Sequence, residues 1–199
     1  RRGITEIKHI MGMYDLWDKL LQKYPGLLID NCASGGRRFD IETLKRSIAF
    51  FRSDYFCNYT ADPEVIQVEN NASKYLPYGG ACNKVMDKYC LRSSYASSFG
   101  YMGWSREYMK MSEDDFITLK SVCDEYRRIR QYFSKDFYNH GAEVYDTSSW
   151  TIWQYNDEDT KSGIVMAFRR CESPFDNVTI ELKGLKENGE YIYTDTESD

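Results

Sequence analysis

A pair of adjacent glycines set between two short apolar runs constrains this chain more than anything else in it. Leu27-Leu28-Ile29 is bounded by Pro25-Gly26 before it and Asp30-Asn31 after it. Ser34-Gly35-Gly36 then predicts a loop, because paired glycines favour neither helix nor strand and let backbone approach a ligand closely. Asp40 is placed to cap a short helix through Leu44, with Ile41, Leu44 and Ile48 on its apolar side. Ile48-Ala49-Phe50-Phe51 is the second apolar run, and Ser53-Asp54 stands at its end. Strand, glycine loop, helix and strand make a parallel βαβ unit, and such sheets place ligands beyond the carboxyl ends of their strands. Asp30, Cys32, Gly35, Gly36 and Asp54 all fall at that edge.

The rest of the chain continues the alternation. Ile7, Ile10, Met11, Tyr14, Trp17, Leu20, Leu21 and Tyr24 form a helical stripe over residues 5–24, stopped by Pro25-Gly26. Asp62-Pro63-Glu64 opens a helix that runs to about residue 73. Tyr75-Leu76-Pro77-Tyr78 predicts a short strand closed by Gly79-Gly80. Residues 84–97 read as a helix, and Phe99 to Trp104 as a further strand and its loop. Ser112, followed by Glu113, Asp114 and Asp115, starts the clearest helix, striped by Phe116, Leu119, Cys123, Tyr126 and Phe133. That acidic run is explained by capping rather than by a metal site. After Tyr138 the texture changes: 149–155, 163–168, 178–182 and 191–194 alternate partially between turn-rich segments, which predicts antiparallel hairpins.

The expectation is therefore α/β, with residues 1–140 as strand–helix units and 141–199 as a small antiparallel all-β (sandwich) domain. Four strand–helix units match either half of an eight-fold barrel or an open parallel sheet, and spacing alone does not separate the two. A half-barrel leaves strand edges unpaired, which predicts self-association into a homo-oligomer. The chain opens without an initiator methionine and reads as a piece of something longer.

Charge and cysteine content narrow the function. A net charge of −5 gives no basis for a nucleic-acid partner. No apolar run is long enough to span a membrane, and no signal-peptide pattern is present. The six cysteines (32, 57, 82, 90, 123 and 171) show no Cys-x-x-Cys and no zinc-like spacing with His9 or His140. They predict free thiols in a reducing, cytoplasmic compartment. No GxGxxG or GxxxxGK[ST] supports a nucleotide binder.

Cys32-Ala33-Ser34-Gly35-Gly36-Arg37-Arg38-Phe39-Asp40, followed by Arg52-Ser53-Asp54, resembles the retaining α-galactosidases of glycoside hydrolase family 36. That family typically carries E-x-C-S-S-G-G-G-R-F-D and then W-T-S-D, and here the cysteine and the second aspartate are 22 positions apart, as in the family pattern. Tyr75-Leu76-Pro77, Arg92 before a small-residue segment, Gln154-Tyr155-Asn156-Asp157 and Val165–Arg170 extend the similarity. The resemblance implies the C-terminal half of a (β/α)8 TIM barrel followed by the family's antiparallel β domain. It implies that Asp54 is the catalytic acid/base, and that Cys32, Gly35, Gly36, Phe51 and Arg38 line the sugar site. The substrate it implies is an α-galactoside or a related oligosaccharide, with no metal or organic cofactor.

Retaining glycoside hydrolysis uses two carboxyl groups about 5–5.5 Å apart, one as nucleophile and one as acid then base. The family's nucleophile, in a K-W-D type motif, is expected some sixty residues before Asp54, upstream of Arg1. No such triplet occurs in the chain, so residues 1–199 alone are expected to be inactive. Among the departures from the family pattern, Asp30 replaces Glu, Phe51 replaces Trp, and Arg37 replaces a glycine. Another α-linked sugar, N-acetylated or acidic, is therefore an alternative to galactose, and a non-catalytic carbohydrate-binding or assembly module is the alternative to an enzyme.

Overall fold

The parallel edge anticipated around residues 27–54 is present in a computed structural model, as backbone pairings that step through the chain in order. The structure describes residues 2–57, 62–76, 78–101, 110–141 and 143–196. Ile48 N–H donates to Ile29 O at 2.8 Å and Asn31 N–H donates to Ile48 O at 2.9 Å, making a parallel bridge between Asp30 and Ile48. Phe51 bridges Gly80 in the same sense, and β1 (Gly80–Asn83) pairs in parallel with β2 (Ser98–Tyr101). Four segments thus lie side by side in chain order, all running the same way. The first two are single bridges rather than the full strands expected.

Helices connect them. α1 (Arg2–Lys23) ends at the predicted Pro25-Gly26 stop. Its C-terminal half docks, through Tyr14 to the Thr43 hydroxyl at 3.2 Å and through Asp18 to Arg46 at 2.6 Å. The expected apolar stripe continues past that contact, and its Ile7, Ile10 and Met11 are 58%, 39% and 64% exposed. The Ser34–Gly36 stretch forms one short helical turn, α2 (Ala33–Gly36), where a loop was expected. Asp40 caps α3 (Ile41–Leu44) as predicted, accepting from Thr43 N–H at 2.9 Å and from the Thr43 hydroxyl at 2.7 Å. α4 (Pro63–Asn70) begins at the predicted proline, but Asp62 does not cap it: its carboxylate accepts from the Tyr55 hydroxyl.

Two elements are displaced from their expected places. The strand expected at 75–78 starts instead at Gly80, because the Leu76 and Tyr78 carbonyls accept from the Arg52 guanidinium and are taken out of the ladder; Pro77 lies outside the described residues. The helix expected over 84–97 contracts to α5 (Lys88–Ser93), because Asn83 Oδ1 accepts the amides of residues 84 and 85 and Asp87 caps at Cys90 N–H. Residues 102–104 of the next expected strand lie outside the described residues.

α6 (Glu113–Ile129) carries the full capping box: Ser112 Oγ accepts from Asp115 N–H at 3.1 Å, and Asp115 returns the bond to Ser112 N–H at 2.9 Å. Its buried line is Leu119, Val122, Tyr126 and Ile129 rather than one led by Phe116, which is exposed. Ser112→Ala is expected to cost about 1 kcal/mol, read as a lower midpoint in thermal unfolding with activity unchanged.

The C-terminal sheet is antiparallel, in the order β3 (Asp136–Asn139), β4 (Trp150–Asp157), β5 (Ser162–Arg169). The strands expected at 178–182 and 191–194 do not form. That segment is held by side chains instead: Gln154 and Asn156 donate to Lys183 O, and Lys183 N–H donates to Gln154 Oε1 at 3.0 Å. Gly184, at φ +66, passes so close to Asn156 that a Cβ would lie 2.6 Å from its Nδ2.

The principal core joins helices to sheet. Leu91 from α5, Tyr95, Val122 from α6, Phe133, and Trp153, Tyr155 and Phe168 from the sheet are all buried together. Aromatic edges carry much of this contact, as where Phe133 meets Tyr155 at 5.0 Å and Trp153 meets Phe168 at 5.1 Å between ring centroids. A smaller cluster of Ile66, Ala81 and Cys82, with Phe51 and Tyr55 against it, packs α4 on the parallel segments. Cys32, Cys82, Cys90, Cys123 and Cys171 are free thiols; the side chain of Cys57 lies outside the described residues. No helix among the described residues is long and apolar enough to cross a membrane.

Candidate active site

The site is built where the second parallel segment ends. After Phe51 the chain leaves the bridge with Gly80 and turns at once into a 3₁₀ turn, Asp54–Cys57. The α2 turn lies directly against this end. A Cβ on Gly35 would fall 2.3 Å from Asp54 N and 2.8 Å from Asp54 Cγ, and one on Gly36 would fall 2.4 Å from Arg52 O. Gly35 and Gly36 also hold φ of +63 and +83, backbone that side-chain-bearing residues rarely adopt. Glycine is thus required at both positions for two separate reasons.

Asp54 is exposed, and its carboxylate takes no hydrogen bond or ion pair from the described residues. Its position is set by the backbone around it. Ser53 Oγ accepts from Tyr55 N–H at 3.2 Å, which tightens the turn. Beneath it Arg52 is buried at 6% exposure, donating from Nη2 to Leu76 O at 2.7 Å and Tyr78 O at 3.2 Å, and from Nη1 to Ser73 Oγ at 3.3 Å. Burial lowers the pKa of this guanidinium, opposed by the nearby Tyr155 and Glu69; an arginine stays charged under such a shift. Glu69, half-buried on α4, has its carboxyl held above the usual range by burial, partly offset by the Ser53 hydroxyl and the Arg52 charge.

The other expected site residues are distributed around this point. Cys32 is exposed and stands immediately before α2 without capping it. Arg38 is half-buried after the turn, Arg37 is exposed, and Asp40 spends its carboxylate on Thr43. Phe51 is half-buried against Ile66, Ala81 and Cys82. Asp30 Oδ1 accepts from Phe50 N–H at 3.2 Å, tying the first two parallel segments together at their ends. The structure therefore brings Gly35, Gly36 and Asp54 into contact, sets Cys32 beside them, and directs Phe51 toward the α4 layer.

Sequence reasoning passed over Arg52 and Gly79. A Cβ on Gly79 would lie 2.0 Å from Arg52 Nε, so this glycine makes the space the guanidinium occupies. The available signal was an arginine two places before Asp54 and a glycine pair following Tyr75-Leu76-Pro77. A cleft of about 480 Å³ lies elsewhere, where residues 73–74 face β3 and β4. It is lined by Ser73, Lys74, Lys135, Asp136 and Asp157 among others, and it includes none of Cys32, Gly35, Gly36 or Asp54. Among the described residues no group of three or more His, Cys, Asp or Glu side chains could hold a metal ion.

Parallel segments joined by helices, with a carboxylate that has no partner among the described residues over a glycine turn at their carboxyl edge, define an α/β protein with a candidate site in the position typical of parallel sheets. The Melibiase family profile matches residues 1–136, and the chain belongs to that family. It is 22% identical to alpha-galactosidase Mel36A of Lactobacillus acidophilus over 99% of this chain and 28% of that protein. It is 23% identical to alpha-galactosidase 1 of Pediococcus pentosaceus over 84% of this chain and 24% of that one. It is 20% identical to the bifunctional alpha-galactosidase/sucrose kinase AgaSK of Mediterraneibacter gnavus over 96% of this chain and 21% of that one. The chain thus spans about a quarter of the length of these relatives. No solved structure matches it significantly.

Proposed function

We propose that residues 1–199 form the acid/base-bearing part of a retaining, family-36-type glycoside hydrolase acting on terminal α-galactosides. The observation that carries this reading is the exposed Asp54 carboxylate, without a partner among the described residues and packed over Gly35, in a chain of the Melibiase family. Asp54 protonates the departing glycosidic oxygen and then takes a proton from the water that releases the sugar. The nucleophile is assigned to the parent protein outside residues 1–199, since no Lys-Trp-Asp triplet occurs here. Gly35 and Gly36 let the turn pack closely against Asp54 and Arg52 and so set the carboxylate's place, and Cys32 and Arg38 are assigned to the wall of the sugar hollow beside it. The parallel segments are read as half of a (β/α)8 barrel over residues 1–140, with 141–199 as the β domain.

Exposed Arg37 supports a second reading, an acidic or N-acetylated α-glycoside as substrate. Proton NMR of the full-length protein turning over an aryl α-galactoside tests both. Galactose is expected to appear first as the α-anomer. First appearance of the β-anomer would overturn the double displacement; turnover of an α-glycuronide or N-acetyl α-glycoside in place of the galactoside would reassign the sugar.

A further inference from the structure

Asp54 takes no hydrogen bond of its own from the described residues, so its placement depends on whatever fixes the backbone of residues 52–54. Two contacts do so from opposite sides. On the site side, the Arg52 carbonyl and the Asp54 amide are pressed against Gly36 and Gly35. On the core side, the Arg52 side chain runs into the protein and ends on the Leu76 and Tyr78 carbonyls and the Ser73 hydroxyl. Gly79 is emptied of a side chain at the very place where Nε and Cζ pass. The Tyr155 hydroxyl, fully buried on β4, lies near the same guanidinium and makes no hydrogen bond among the described residues. The antiparallel sheet therefore backs the loop on which the guanidinium rests.

The chemistry of this arrangement is costly for stability alone. Arg52 has no carboxylate within ion-pair distance among the described residues, and its Nε has no acceptor. Burying such a charge is costly even with Glu69 nearby, and an apolar side chain of similar length would fill the space more cheaply. What an apolar residue could not do is hold two carbonyls and a hydroxyl from a planar fork, fixing the angle at which the chain enters the 3₁₀ turn.

We propose that Arg52 is a positioning residue for Asp54, locked by Gly79 and backed by Tyr155, and that it sets the carboxyl group over Gly35 for proton transfer to the leaving group. This inference rests on the acid/base reading of Asp54. Its test uses the full-length protein with two α-galactosides. One carries an activated aryl group that departs without a proton, and the other an alkyl group that needs one.

Arg52→Met and Gly79→Ala are expected to lower kcat/KM on the alkyl substrate about tenfold while sparing the activated one, and Arg52→Lys should recover part of the loss. Asp54→Asn is measured alongside. Equal losses on both substrates, tracking the folded fraction seen by circular dichroism, would reduce Arg52 to a structural role and overturn the proposal. So would unchanged kinetics in both variants. If Asp54→Asn itself fails to discriminate between the substrates, the acid assignment falls, and that failure is distinct from the failure of Arg52 alone.

Discussion

Asp54→Asn in the full-length protein is expected to lower kcat/KM on alkyl α-galactosides by about 10²–10⁴-fold, the usual contribution of a positioned general acid. The size of the effect follows from what asparagine keeps and what it removes. Shape and volume are nearly conserved, and no hydrogen bond to the described residues is lost. The packing against Gly35 is retained, so the fold should be untouched. Only the transferable proton disappears. An activated aryl substrate forms the glycosyl-enzyme without that proton, so its kcat/KM should be largely preserved. Its kcat should still fall, because release of the sugar needs the same group as a base. Azide, which attacks without base assistance, should then restore kcat. Full turnover of the alkyl substrate by the Asp54→Asn protein would dismiss Asp54 as the acid.

Much of the local structure follows from residues close in sequence. Pro25-Gly26 ends α1, Asp40 caps α3, and Ser112 with Asp115 opens α6, each through bonds spanning four residues or fewer. The β4–β5 hairpin is equally legible, because its alternation and its turn are both local. The contact between the glycine pair and Asp54 was legible for a different reason: both lie within one βαβ unit, whose geometry is fixed by the sense of its parallel segments.

What escaped depends on partners far along the chain. Asp136-Phe137-Tyr138-Asn139 has no alternation of its own and becomes β3 only because β4 offers it an edge. Val178-Thr179-Ile180-Glu181-Leu182 has the alternation but no strand neighbour among the described residues, so Gln154 and Asn156 hold its end instead. The apolar N-terminal half of α1 shows that a stripe specifies which side would be buried, not that something lies against it. Arg52 could not be assigned from its neighbours because its acceptors are 21 to 26 residues away.

Gly35→Ala is expected to be the most damaging single-methyl change in the site, lowering kcat/KM on alkyl α-galactosides about 100-fold. The left-handed φ of +63 makes any L-residue pay roughly 1–2 kcal/mol. The added Cβ also points at Asp54 rather than into the hollow, 2.3 Å from its amide nitrogen and 2.8 Å from Cγ. Backbone yields poorly, so the aspartate must shift by about an ångström, a displacement that costs on the order of 10²-fold in a positioned reaction. The main core around Trp153 and Tyr155 does not include this turn, so thermal stability should fall far less than activity. Gly12→Ala supplies the control: Gly12 lies within α1 with nothing within 4 Å of its Cβ position, and the change should leave kcat/KM unchanged. A folded Gly35→Ala protein with undiminished kcat/KM would show that Asp54 does not need this contact to work.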